Sequence, residues 1–221
     1  ALIADLEKSK VLKYYVLEQK AIFQWLQGDL KGADKIFQGG LPFCFPICGR
    51  LTQGDIPLHG FAARMPWSVE KHTEDCLTLL LKDTAETQAV YPYAFEVRLH
   101  YRITETEFEC CFECKNLSDE PMPYYAGFHP YFAAALAHKN QVSLELNAHK
   151  RFYYNAALND VVRESAAAPF HVPIEALALD QALHSVHHPL QCVLHFPEGY
   201  ALSLRLIDSR PLFCYIQLYT E

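Results

Sequence analysis

Two histidines in this chain sit where proton chemistry is plausible. His129 lies in GFHPYF (127–132), between an aromatic residue and a proline in a strand-like run. A proline keeps the residue before it extended. His59 lies in IPLHGFAARMPW (56–67), where Pro57 stiffens the backbone and Gly60 admits the close approach of another group. A side chain that passes a proton at a fixed point needs such a stiff mount. Two readings stand at this level: members of an acid/base site, or buried histidines each satisfied by a carbonyl. The chain holds 11 histidines, and most must be bystanders. His100 alternates onto the polar face of its segment, and His184, His187 and His188 read as part of a polar loop.

Eight cysteines are the other chemically active set. Cys110, Cys111 and Cys114 fall in the strand-like FECCFECKN, Cys44 and Cys48 flank FPI, and Cys76, Cys192 and Cys214 stand alone. A zinc site of the CxxC type calls for a second pair at comparable spacing. Reduced, buried cysteines in a cytosolic protein are the expectation, with zinc as the lesser reading.

The elements that must hold these residues read as strands. In YAFEVRLHYRITE (93–105), Phe95, Val97, Leu99, Tyr101 and Ile103 alternate with Glu96, Arg98, His100, Arg102 and Thr104, a clean period of two. WSVEKHTEDCLTLLLKDT (67–84) reads as two strands around an acidic turn, and VLKYYV (11–16) with AIFQWLQG (21–28) as an early hairpin. GADKIFQGGLPFCFPICGR (32–50) is too rich in Gly and Pro for a helix or a long paired strand and reads as a shaped loop. EFECCFECKNL, YYAGFHPYF, QVSLELNA, QCVLHFPEG, ALSLRLIDS and FCYIQLYT supply further extended segments, and only FAAALAHK hints weakly at helix. The expectation is one all-β domain of large twisted antiparallel sheets.

Composition excludes several classes. Apolar residues make up 51% of the 221 and charged residues 20%, as in a folded globular chain. A net charge of -7 without basic runs removes the footprint of nucleic-acid binding. No apolar run approaches the roughly 20 residues that span a bilayer, and ALIADLEKSK lacks an apolar signal core. No nucleic acid, no membrane and a cytoplasmic location are expected.

The segments GGLPFCFPICGRL, HGFAARMPW, YPYAFEVRLHYRIT, NLSDEPMPYYAGFHPYF and IQLYT resemble those of the aldose 1-epimerase (galactose mutarotase-like) family. The likeness is nearest to the branch with a GGIP-type loop, which includes the hexose-6-phosphate mutarotases. It implies a β-supersandwich spanning 1–221 as a single domain truncated at both ends, and an isomerase that interconverts α and β anomers of an aldose or sugar phosphate through the open-chain aldehyde. On this resemblance His129 is the acid, His59 holds substrate hydroxyls, and Trp67, Tyr131 and Phe132 offer apolar surface to the pyranose, with core packing as their alternative role. No cofactor is implied, since proton transfer needs none.

Three departures bear on these expectations. Gln38 stands where the branch carries an arginine, and lacks the bidentate charged grip suited to phosphate. HGFAR appears as HGFAAR, and one extra residue in an extended segment would turn Arg64, a candidate substrate ligand, to the other face unless a bulge absorbs it. The family's base is a glutamate beyond the final YT, and Glu221 follows Tyr219 and Thr220 too soon to match it. The resemblance therefore assigns no base, and a catalytically weak carbohydrate-binding relative is the alternative expectation.

Overall fold

The structure, a computed structural model, describes residues 41–51, 53–132, 136–158, 160–175, 182–206 and 215–218. The hairpin expected over 11–28, Gln38, Cys214 and the Tyr219–Glu221 end lie outside these. The chain divides into two compact units, Ala1–Phe132 and Ala133–Glu221. Among the described residues both are built mainly of antiparallel strands, so the all-β expectation holds.

In the first unit a four-stranded sheet runs in the order β2-β3-β4-β5, from Ser68–His72, Cys76–Lys82, Phe95–Ile103 and Phe108–Asn116. The alternation read in 95–103 is what the fold uses: Phe95, Val97, Leu99, Tyr101 and Ile103 are all buried. They pack with Leu77, Leu79 and Leu81 of β3 and with Phe43, Phe45, Phe61 and Tyr91. On the opposite face Arg98 reaches back to β2, its Nε and Nη2 donating to the two carboxylate oxygens of Glu70 at 2.8 and 3.1 Å.

One element escaped the sequence reading. A short helix, α1 (Ala85–Val90), sits between β3 and β4. Thr84 and Thr87 cap it reciprocally: the Thr87 N–H donates to Thr84 Oγ1 at 3.2 Å and the Thr84 N–H to Thr87 Oγ1 at 2.8 Å. Threonine fills the role that glutamate or glutamine usually takes in this box, so the usual signature is missing.

The loop expected over 32–50 contains the two-residue strand β1 (Phe43–Cys44), which pairs with β6 (Gly127–Phe128). Beyond it, the Phe45 carbonyl accepts the N–H groups of Phe61 and Ala62 at 3.0 and 3.1 Å. Gly60 lies directly against that carbonyl at φ +74°, and a Cβ there would collide with it.

The second unit holds two four-stranded sheets. One runs β10-β7-β12-β13, from Phe170–Pro173, Ser143–Leu146, Cys192–His195 and Ala201–Leu204. The other runs β14-β11-β8-β9, from Tyr215–Leu218, Ala182–Val186, Ala148–Tyr154 and Val161–Ala166. His184 corrects the sequence reading: it lies on β11 rather than in a loop, and is only 4% exposed. Ser185 and the His187–His188 pair that follow it read as a loop, whereas β8 and β14 flank this stretch as a strand. Buried Asn147 ties down the turn after β11, donating to the carbonyls of His187 and Pro189 at 3.0 and 2.7 Å and accepting the Gln191 N–H at 2.9 Å.

Two stability effects are expected. Gly60→Ala faces both a left-handed backbone and a collision with peptide atoms, and should cost about 2 kcal/mol or more in urea unfolding. Asn147→Ala removes three hydrogen bonds, two to carbonyls and one from an N–H, and should cost about 1–3 kcal/mol. An unchanged unfolding midpoint for either variant would contradict the contacts described.

Candidate functional site

Segment 42–49 carries chain on both sides of it. On one side the His129 N–H donates to the Pro42 carbonyl at 2.9 Å, continuing the β1–β6 pairing. On the other the His59 N–H donates to the Gly49 carbonyl at 2.8 Å, and His59 itself takes φ +64°. A non-glycine residue in that region is uncommon and strained, and such strain concentrates at functional positions. The two histidines, 70 positions apart, thereby meet with ring centroids 5.2 Å apart, edge to face.

Tyr131 stacks on His129 at 4.8 Å and an interplanar angle of 23°. The His59 Nδ1 atom is shielded from solvent and has no hydrogen-bond partner among the described residues. The site thus contains a buried, uncommitted ring nitrogen beside a second imidazole that is partly open to solvent.

The remaining candidates separate. Trp67 is tied into the core: its indole N–H donates to the Ala62 carbonyl at 2.9 Å and its ring meets Phe43 edge-on at 6.3 Å. Phe132 is 38% exposed. Arg64 ends a 3-10 turn, Ala62–Arg64, and its side chain is exposed. The segment is therefore not extended there, and the turn absorbs the additional alanine of HGFAAR without the reversal of face that a strand would impose.

Two cysteines that the sequence reading treated as bulk belong to this cluster. Cys48 packs against the backbone of Gly127, where a Cβ would stand 3.1 Å from its Sγ. Its thiol is held well below the usual cysteine range, first by the hydrogen bond from Cys44 and then by a hydrogen bond and positive charge from His59, with a further charge effect from His129. Cys44 moves the opposite way, because its proton is committed to Cys48 and it is buried. The Cys44 and Cys48 sulfurs and a His59 ring nitrogen all lie within 4.8 Å of one another, a soft donor set that could also converge on a thiophilic cation. The signal in the sequence was the four-residue spacing of Cys44 and Cys48, but nothing there joins them to a histidine 11 residues on.

Selective thiol chemistry should follow. Iodoacetamide at about pH 6 is expected to label Cys48 ahead of Cys44, Cys114 and Cys192, since the thiolate is the nucleophile and burial pushes the last two up to about 11. His59→Gln should move the pH midpoint of Cys48 labelling upward. Peptide mapping across pH reads both effects, and a midpoint in the range of an ordinary thiol would refute the assignment.

Comparison with known proteins adds three findings. Residues 29–200 match the family model described as Aldose 1-epimerase. Over 73 residues the chain is 37% identical to the "Putative glucose-6-phosphate 1-epimerase" of Escherichia coli, 31% of this chain against 25% of that protein, and over 115 residues it is 32% identical to "Protein LacX, plasmid" of Lactococcus lactis, 45% against 38%. The matches thus span well under half the length of these relatives. Among solved structures, a galactose mutarotase related enzyme from Lactobacillus acidophilus superposes with TM-score 0.63 at 25% identity, covering 72% of this chain and 60% of that one. A galactose mutarotase-like protein from Lactobacillus casei gives TM-score 0.63 at 19% identity, over 81% and 67%. The fold is galactose mutarotase-like, and the chain belongs to the aldose 1-epimerase family.

Proposed function

We propose that this chain carries part or all of the machinery of a cytoplasmic mutarotase acting on an aldose or its phosphate. The observation that carries this reading is the meeting of His59 and His129 at 5.2 Å on two loops pinned to one segment.

The reaction needs two coupled proton transfers. A proton passes to the ring oxygen O5 as the C1–O5 bond breaks, while a base takes the proton of the O1 hydroxyl, leaving the open-chain aldehyde. Rotation about C1–C2 and closure on the other face of the carbonyl give the other anomer. His129 is the donor to O5, because imidazole has an unperturbed pKa near neutrality and can both give and recover the proton in each cycle. His59, beside the donor, is the proposed contact to a sugar hydroxyl.

Tyr131, stacked on the donor, presents the apolar face on which a pyranose ring packs. Arg64, exposed at the end of its turn, and Gln38 are the proposed polar contacts to the remaining hydroxyls or to a phosphate. Trp67 supports the loop from the core side. Among the described residues no carboxylate is ion-paired with either histidine, and this favours a second reading, a carbohydrate-binding relative with little turnover.

Anomer exchange by NMR on glucose, galactose and their 6-phosphates separates the two. Acceleration by the wild-type chain is expected, with a loss on the order of 10²- to 10⁴-fold in His129→Gln of matched fold. Sugar binding without acceleration would establish the second reading, and no binding of any of the four sugars would overturn both.

A further inference from the structure

We propose that the outward face of the sheet β10-β7-β12-β13 carries a site for a borderline divalent transition-metal ion such as Zn2+, with Glu145, His171 and His195 as its three protein ligands. The register places them together. On β7, Leu144 and Leu146 are buried, so Ser143 and Glu145 alternate onto the outward face. His171 of β10 stands opposite Glu145, and His195 of β12 stands opposite Ser143.

The two histidines approach each other more closely than their strands do. β10 and β12 flank β7, so their backbones stand about 9–10 Å apart at the usual strand spacing. Their imidazole centroids are nonetheless 4.8 Å apart, which requires both rings to lean inward over β7. One donor atom from each of the three residues lies within 4.8 Å of the other two. His195 Nε2 is 3.6 Å from Glu145 Oε2, too long for a hydrogen bond, and that nitrogen is shielded from solvent without a hydrogen-bond partner among the described residues. Ser143 Oγ, 2.8 Å from His171 Nε2, fixes the second ring.

Tetrahedral zinc bonds of about 2.0–2.2 Å put neighbouring ligand atoms about 3.3–3.5 Å apart, within a small side-chain rotation of the spacing here. A surface pair of Glu145 with His195, beside a separate Ser143–His171 bond, is the plain alternative. It accounts neither for the unbonded His195 nitrogen nor for two rings converging from strands on opposite sides of β7. Two imidazoles and one carboxylate select Zn2+, Ni2+, Co2+ or Cu2+ over Mg2+ and Ca2+, which prefer oxygen donors. The exposed side of His171 leaves room for water as a fourth ligand. An ion bound here joins three strands that are distant in sequence, so its binding free energy appears as stability of the fold. The site is independent of the reaction proposed at His59 and His129.

The test is titration of the chelator-stripped full chain with ZnCl2 by calorimetry, and with Co2+ by visible absorption, for wild type, His171→Ala, His195→Ala and Glu145→Gln. Cobalt at this site gives d–d bands without the near-ultraviolet thiolate band that cysteine donors produce, which separates it from binding near Cys48. The expected result is one micromolar ion of the thiolate-free kind in wild type, weakened on the order of 10- to 100-fold or more in each variant. Zinc should also raise the Tm of wild type and leave that of His171→Ala, a change at an exposed side chain, unmoved. Thiolate-free binding retained in both histidine variants, or a wild-type chain that needs millimolar zinc, would overturn the proposal.

Discussion

The backbone of Phe45 meets Gly60 at a separation that no side chain could tolerate, and the described loops that carry His59 and His129 are arranged around that contact. Phe45 is fully buried, and its ring packs on those of Phe61, Tyr91 and Phe95. Its carbonyl takes two N–H groups from the 59–62 loop. The net worth of each such bond is about 1 kcal/mol, but an unsatisfied buried carbonyl would cost more, so the loop is held as firmly by the penalty of leaving as by the gain of staying. Close approach of two main chains is possible only because one partner lacks a Cβ.

From that contact the positions of the chemical groups follow. Gly60 in the left-handed region brings His59 before it, also at positive φ, beneath the end of the 42–49 segment. The same segment pairs through Phe43 with Phe128, which places His129 one residue further along. Phe43, Phe112 and Phe128 interlock with centroids 5.2 to 6.2 Å apart, so the strand carrying His129 is packed from beneath as well as hydrogen-bonded at its edge. Offset and tilted aromatic pairs of this kind add about 0.5–1.5 kcal/mol each beyond simple burial. Proton transfer is intolerant of misplacement by even an ångström, and loops alone would not give such precision. Here the loops are short and their backbones belong to the core.

How much of this was legible in the sequence depended on the range of the interaction. β4 was readable residue by residue because its two faces meet different environments, and β2, β3 and β5 followed from turn signals. His59 and His129 were singled out by their Gly and Pro neighbours, since backbone stiffness is a local property. Cys48 was not, because what distinguishes it is a histidine reached only through two positive-φ residues and a two-residue bridge. His184 failed for the opposite reason: Ser185, His187 and His188 after it resemble a loop, while strands from elsewhere in the chain enclose it. The 3-10 turn at Ala62–Arg64 forms because Phe45 supplies an acceptor for Ala62, a partner 17 residues away.

The chain therefore brings reactive side chains together in two physically different ways. Around His59 and His129 the geometry is set by backbone exceptions, glycines and a strained histidine, so it has few alternatives and tolerates little change at those positions. On the second unit Glu145, His171 and His195 converge by strand register and the inward lean of the two rings. Register is fixed by which face of β7 is buried, and Leu144 and Leu146 would both have to turn outward for Glu145 to turn inward. The first arrangement is rigid because each residue is individually constrained, and the second because the whole strand moves or none of it does. A substitution on the outward face of β7 can remove a ligand without disturbing the fold, whereas replacing Gly60 perturbs core and site together.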